Sequence, residues 1–143
     1  MAAQIDALRG KVQRILTEKL GTVEIDKDGD FTVRHESTRA FVSCREWGDK
    51  TLVVVHAPFL GDVPPSPELF KYVATEGGLY HFGHVTAWEQ GGTCTLSFRH
   101  TLLGDYLDGP ELEAALVAVA VTANDLDDEL QQRFGGRRFH EDG

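Results

Sequence analysis

The sequence has few residues that could cross-link it or perform covalent chemistry. It contains two cysteines in 143 residues, Cys44 and Cys94, and they form no C-x-x-C pair. Both sit in strand-like runs and read as small buried hydrophobes; whether they pair with each other stays open. No G-x-S-x-G elbow and no G-x-x-x-x-G-K-[ST] phosphate loop occurs. Glu68, Glu76 and Glu89 stand singly, without a second carboxylate to share acid–base work. Basic residues are scarce, with 14 Lys+Arg against 23 Asp+Glu and a formal charge of -9. That balance argues against nucleic acid and anionic membrane as partners, since both need clustered cations. No run approaches the 18 or so apolar residues of a membrane span. Residues 1–20 carry charges throughout and lack the apolar stretch of a secretory signal, so the expected location is the cytoplasm.

A 41% hydrophobic content and 26% charge are ordinary for a globular chain. About 140 residues bury enough surface for a core without disulfides or metals. The expectation is one domain over residues 1–136 with a flexible tail over 137–143.

Ile5, Leu8, Val12, Ile15 and Leu16 recur at helical spacing, and Gly21 supplies a stop. Asp26-Lys27-Asp28-Gly29-Asp30 is a turn cluster. Its Asp-x-Asp-x-Asp spacing suits the first ligands of a calcium loop, but Phe31 and Ser37 stand where that loop needs Gly and Glu. A hairpin turn explains it better. Strands follow at Phe31–His35 and Arg39–Trp47, the second with Ala40, Val42 and Cys44 on one face and Phe41, Ser43 and Arg45 on the other. Gly48-Asp49-Lys50 turns the chain into Thr51–Ala57. The run Leu52-Val53-Val54-Val55 suggests burial on both faces.

Pro58 to Ser66 reads as a surface connection. Ser66-Pro67-Glu68 is a helix start, with an N-cap hydroxyl, a preset φ and a carboxylate at the positive end of the dipole. Gly77-Gly78 ends that helix. Strands are expected at Leu79–Glu89 and Thr93–Leu103, joined at Gln90-Gly91-Gly92. Asp108-Gly109-Pro110-Glu111 opens a last helix, whose Leu112, Leu116, Val119, Ala123, Leu126 and Leu130 step by 4, 3, 4, 3 and 4. Val117 and Val121 widen its apolar face. The stretch 114–123 should be buried in the domain or against a partner subunit, and Asp125, Asp127, Asp128 and Glu129 should form a solvated acidic face.

His81 and His84 are three apart in an expected strand and so face opposite ways, which disfavours a shared metal. His35, His56 and His100 also lie in strands. The expectation is no catalytic residue, no metal and no cofactor. Trp47 and Trp88, near strand ends, and Phe59 and Leu60 are the candidate partner-binding residues. Leu69, Phe70, Tyr72 and Val73 are the candidate dimer interface.

The order of elements resembles the type III secretion chaperone fold and its YbjN-like relatives. The residues that carry this are Asp28–Arg34, Phe41-Val42 through Trp47, Ala57-Pro58 through Val63-Pro64, Ser66–Glu76, and Tyr80–His84. The chain looks closest to small actinobacterial proteins described as peptide-binding chaperones. The resemblance implies an α+β fold of order α-β-β-β-α-β-β-α, with an antiparallel sheet packed against helices. It also implies an acidic homodimer that holds an extended segment of a client protein and catalyses nothing. A secretion role is not carried over, because actinobacteria are not expected to have that apparatus. The competing expectations are a small enzyme or ligand/metal sensor using His56, His81, His84 or His100, and a regulatory interaction protein without chaperone activity.

Overall fold

A computed structural model describes residues 2–36 and 38–139. Helix α1 (Ala2–Leu20) buries Ile5, Leu8, Val12 and Leu16 and ends at Gly21, whose φ is 85° and whose N–H donates to the Thr17 carbonyl at 2.9 Å. Strand β1 (Glu24–Ile25) turns into β2 (Phe31–His35) through the aspartate cluster. There Asp26 Oδ1 accepts from the N–H groups of Asp28 at 2.8 Å and Asp30 at 3.1 Å. This carboxylate closes a turn, as the hairpin reading required.

Strand β3 (Thr38–Trp47) and β4 (Lys50–Val63) form a hairpin with Trp47 opposite Lys50 and Gly48 at φ 60°. Helix α2 (Pro67–Thr75) begins where Ser66 Oγ accepts from the Leu69 N–H at 3.1 Å. Strands β5 (His84–Gln90) and β6 (Thr93–Leu103) are joined through Gly91 and Gly92, at φ 62° and 85°. A two-residue turn with both φ values positive matches the right-handed twist of its strands. In α3 (Gly109–Phe134) the Asp108 carboxylate accepts from the Glu111 N–H at 2.8 Å, and all six residues of the seam are buried. A last short strand, β7, is Arg137–Arg138.

The sheet order is β1-β2-β3-β4-β6-β5, with β7 on β4 and every pairing antiparallel. The eight expected elements are all present. The two short strands β1 and β7 are additional.

Four expectations need correction. Pro58–Val63 is not a surface connection: β4 continues through it, with Phe59 3% and Leu60 and Val63 0% exposed. Pro58 is carried inside the strand where the β3 ladder has ended and a register shift follows, a setting that tolerates proline. Leu79–Gly83 is not strand but a bend before β5. Its Gly83, at φ 109°, lies so close to Phe98 that a Cβ would stand 2.4 Å from that ring. Arg137 does not begin a free tail, since β7 pairs with Leu60 and Gly61 and the Phe139 N–H donates to the Phe59 carbonyl at 3.2 Å. Residues 140–143 of the expected tail lie outside the described residues. On α3, Val117 and Val121 are exposed at 55% and 37%, whereas Asp127 is buried at 3% and belongs to no solvated face.

Candidate functional site

All three helices lie on one side of the sheet. Helix α3 runs against β2, β3, β4 and β6; α1 packs on β3, β4 and α3; α2 sits at β5. The register shows which side this is. Phe31, Val42, Val55 and Ala57, with Phe98 and Val85, align across the strands as the buried inner face. The 77–83 segment packs there too, with Tyr80 edge-on to Phe98 at 5.1 Å and Phe82 edge-on to His100 at 5.8 Å.

The alternate residues form an outer face against which no helix among the described residues packs. One row across it reads Thr32, Phe41, His56, Arg99 and His84; the next reads Ser43, Val54 and Thr101. His56 stacks on Phe41, with centroids 5.4 Å apart and planes at 23°, and its Nε2 lies 3.5 Å from Ser43 Oγ. Burial, then Arg99, hold the His56 pKa below its ordinary value, so the ring is neutral at neutral pH. Val54, 8% exposed, is buried on this face as Val53 and Val55 are on the other, so the run is buried on both faces as expected.

The outer face ends at β5, an edge strand whose one ladder is with β6 and whose Val85 N–H donates to the Gly77 carbonyl at 2.8 Å. An edge presents unpaired backbone groups to any extended chain that approaches. Trp88 stands beside it on the outer face, opposite Thr95 and 66% exposed. Leu79 and Phe82, exposed at 77% and 52%, precede the same strand.

The predicted residues divide. Trp47 and Trp88 are exposed, Trp47 at the tip of the β3–β4 hairpin. Phe59 and Leu60 were expected at the surface and are instead core residues of β4, so neither side chain reaches a partner. On α2, Leu69 is fully buried, and Tyr72 is buried against Phe134, with Arg133 5.0 Å over its ring. Burial and a hydrogen bond to Tyr80 push the Tyr72 hydroxyl pKa up. Both side chains are used within the chain. Phe70, at 45%, is exposed, and Val73 is half-buried. Arg39 and Arg99 also fall on the outer face, and sequence reasoning did not single them out. Their signal was the alternation along β3 and β6, which separates two faces without saying which one the helices cover.

The remaining reactive groups are dispersed. Cys44 and Cys94 are both free and buried, and burial raises both thiol pKa values, Cys44 to about 11. Among the described residues no group of three His, Cys, Asp or Glu side chains is placed to hold a metal. His100 is held below its ordinary pKa by burial and then by His84. The Asp105 carboxylate is engaged by the Thr51 N–H at 2.8 Å and the Thr51 hydroxyl at 2.7 Å, which lowers its pKa and ties the β6–α3 connection to β4. No helix among the described residues is long and apolar enough to cross a membrane. The arrangement is suited to recognition: an open sheet face, an edge, and exposed aromatic side chains.

A family profile, TY-Chap1, described as T3SS (YopN, CesT) and YbjN peptide-binding chaperone 1, matches residues 6–142. Among solved structures the chain is similar to the ExsC–ExsE complex, at a TM-score of 0.64 and 19% identity, covering 85% of this chain and 94% of that one. It is also similar to the Yersinia pestis type III secretion chaperone SycH in complex with a stable fragment of YscM2, at a TM-score of 0.56 and 14% identity, covering 83% and 98%. At those identities the likeness is one of fold. A comparison with curated proteins returns no match.

Proposed function

Since this chain belongs to the TY-Chap1 family of T3SS and YbjN peptide-binding chaperones, we propose that it is a non-enzymatic, cytoplasmic chaperone or adaptor that binds an extended segment of a client protein. The observation that carries this is the β5 edge beyond Val85, whose own N–H donates to the Gly77 carbonyl at 2.8 Å, with Trp88 beside it. An extended segment adds to such an edge through main-chain hydrogen bonds, and its alternate side chains settle against the adjoining face. The described partners of the two similar structures, ExsE and the YscM2 fragment, are proteins, which fits a client of the same kind.

The experiment uses the two tryptophans. In a Trp47→Phe background Trp88 is the sole indole, and a bound peptide should shift its emission to the blue and quench it. Titration with an apolar, β-prone peptide should saturate, and Trp88→Ala in the wild-type background should weaken binding about tenfold, within the range for an aromatic anchor. An emission spectrum unmoved by every peptide tried would sink the reading.

The functional unit in this proposal is a homodimer. Phe70, exposed on α2 away from Tyr72, is the residue that fits its interface, with Val73, partly buried against the core, at its margin. Light scattering should give twice the mass of one chain for the wild type. Phe70→Glu, which places a charge in the contact, should give the monomer mass with an unchanged circular dichroism spectrum. A wild-type protein that stays monomeric at high concentration removes the dimer and leaves peptide binding standing.

A further inference from the structure

The outer sheet face runs against the charge of the whole chain. The chain carries -9, yet five of its 14 basic residues fall on outer-face positions: Arg34, Arg39, Arg45, Lys50 and Arg99. Among the described residues the carboxylates on this side include Glu24, which pairs with Thr32 in the ladder, Asp30, which already meets Arg45 at 3.4 Å, and Asp62 near Thr95, which meets Arg137 at 3.3 Å. Arg39 and Arg99 have no ion-pair partner among the described residues. Arg99 is exposed; Arg39 is half-buried, and its Nε is shielded from solvent without an acceptor. A guanidinium without an ion-pair partner favours an incoming carboxylate at its terminal nitrogens, because a charge-assisted bond there replaces no existing ion pair.

We infer that this face takes an acidic client segment, seated with carboxylates on Arg39 and Arg99 and an apolar side chain over Phe41 and Pro58 between them. This rests on the reading that the chain binds an extended peptide and assigns the chemistry of a stretch of the client laid across β3, β4 and β6, distinct from the stretch that adds to the β5 edge. The spacing follows from the register. Arg39 and Arg99 are two strands apart and two residues apart along the strands, which at about 4.8 Å per strand and 3.4 Å per residue gives about 12 Å between backbone positions. An extended peptide covers about 13 Å in four residues, and side chains four apart share one face. The client pattern is therefore acidic, x, apolar, x, acidic. The acidic remainder of the protein repels such a segment everywhere else, so the field of the molecule directs it to this face.

The test is fluorescence anisotropy on the full chain with three labelled peptides. They are identical except for Glu, Gln or Lys at two positions four residues apart, with a leucine midway. The Glu peptide should bind about tenfold tighter than the Gln peptide, the Lys peptide weaker than both, and the Glu preference should shrink as salt is raised. Arg39→Gln and Arg99→Gln should each weaken the Glu peptide about fivefold and together abolish its advantage, while the Gln peptide is unaffected. Arg14→Gln, a charge on α1, should change nothing. The wild-type comparison stands even if a variant folds poorly.

Equal binding of Glu and Gln peptides overturns the acidic preference and leaves peptide binding intact. No binding by any of the three overturns both. An oligonucleotide of equal charge that competes as well as the Glu peptide overturns the inference in favour of a general anion surface. Self-association lost in Arg99→Gln, without a preference among peptides, overturns it in favour of a second copy of the chain.

Discussion

Phe98→Ala is expected to lower the stability of the domain by about 3–5 kcal/mol, the range for removing a fully buried phenylalanine. Phe98 is 0% exposed in the middle of β6, paired with Ala57 on one side and Val85 on the other. Its ring is also the floor for the 77–83 segment, through the edge-on contact with Tyr80 and the close approach of Gly83. Alanine leaves a cavity beneath that segment and removes an aromatic pair worth about 0.5–1.5 kcal/mol beyond area. Small domains hold about 5–15 kcal/mol in all, so the loss is a large share. Urea unfolding should show a lower midpoint with an unchanged slope. A loss under about 1 kcal/mol would mean that the site collapses around the gap and that Phe98 does not anchor the segment.

The second large effect comes from the other side of the same contact. In Gly83→Ala the new Cβ would stand 2.4 Å from Phe98 Cε2 and 2.9 Å from the Arg99 carbonyl oxygen, at a backbone φ of 109°. The strained backbone costs about 1–3 kcal/mol, and forced repacking costs about 1–3 kcal/mol more. These two origins can be separated. Phe98→Leu removes the ring atoms in the way but moves neither the carbonyl nor φ. In that background Gly83→Ala should cost less by about 1 kcal/mol or more, a coupling beyond the scatter of independent sites. Strict additivity of the two changes would show that backbone strain and the Arg99 carbonyl, not the Phe98 ring, make position 83 a glycine.

Most of the elements were legible in the sequence because each is signalled locally. The boundaries of β6 follow from its alternation, the start of α2 from Ser66-Pro67-Glu68, and the burial along α3 from its 3–4 steps. Most failures come from contacts with parts of the chain distant in sequence. Pro58 and Pro64 look like loop punctuation because nothing nearby reveals that β6 and β7 bracket Phe59–Val63. Tyr80 and Phe82 look like strand residues because aromatic content does not distinguish a strand from a segment lying over Phe98. The same holds at the site. Trp88 could be named from its place near a turn. Arg39 and Arg99 are far apart in the chain, and only the β3–β4–β6 register brings them onto one surface.

The length of β4 has a consequence for how the molecule comes into being. Its first half pairs with β3, made just before it, but its other edge waits for β6, and its second half waits also for β7. On a ribosome the β1–β4 meander can therefore form early from near neighbours, while Val53, Val55, Ala57 and Leu60 lie bare until β6 and α3 emerge. Closure by partners so distant in sequence slows folding and leaves an apolar strand open to other chains in the meantime. Until β7 has been made, the nascent chain itself exposes the kind of sheet surface that other proteins must be kept from joining.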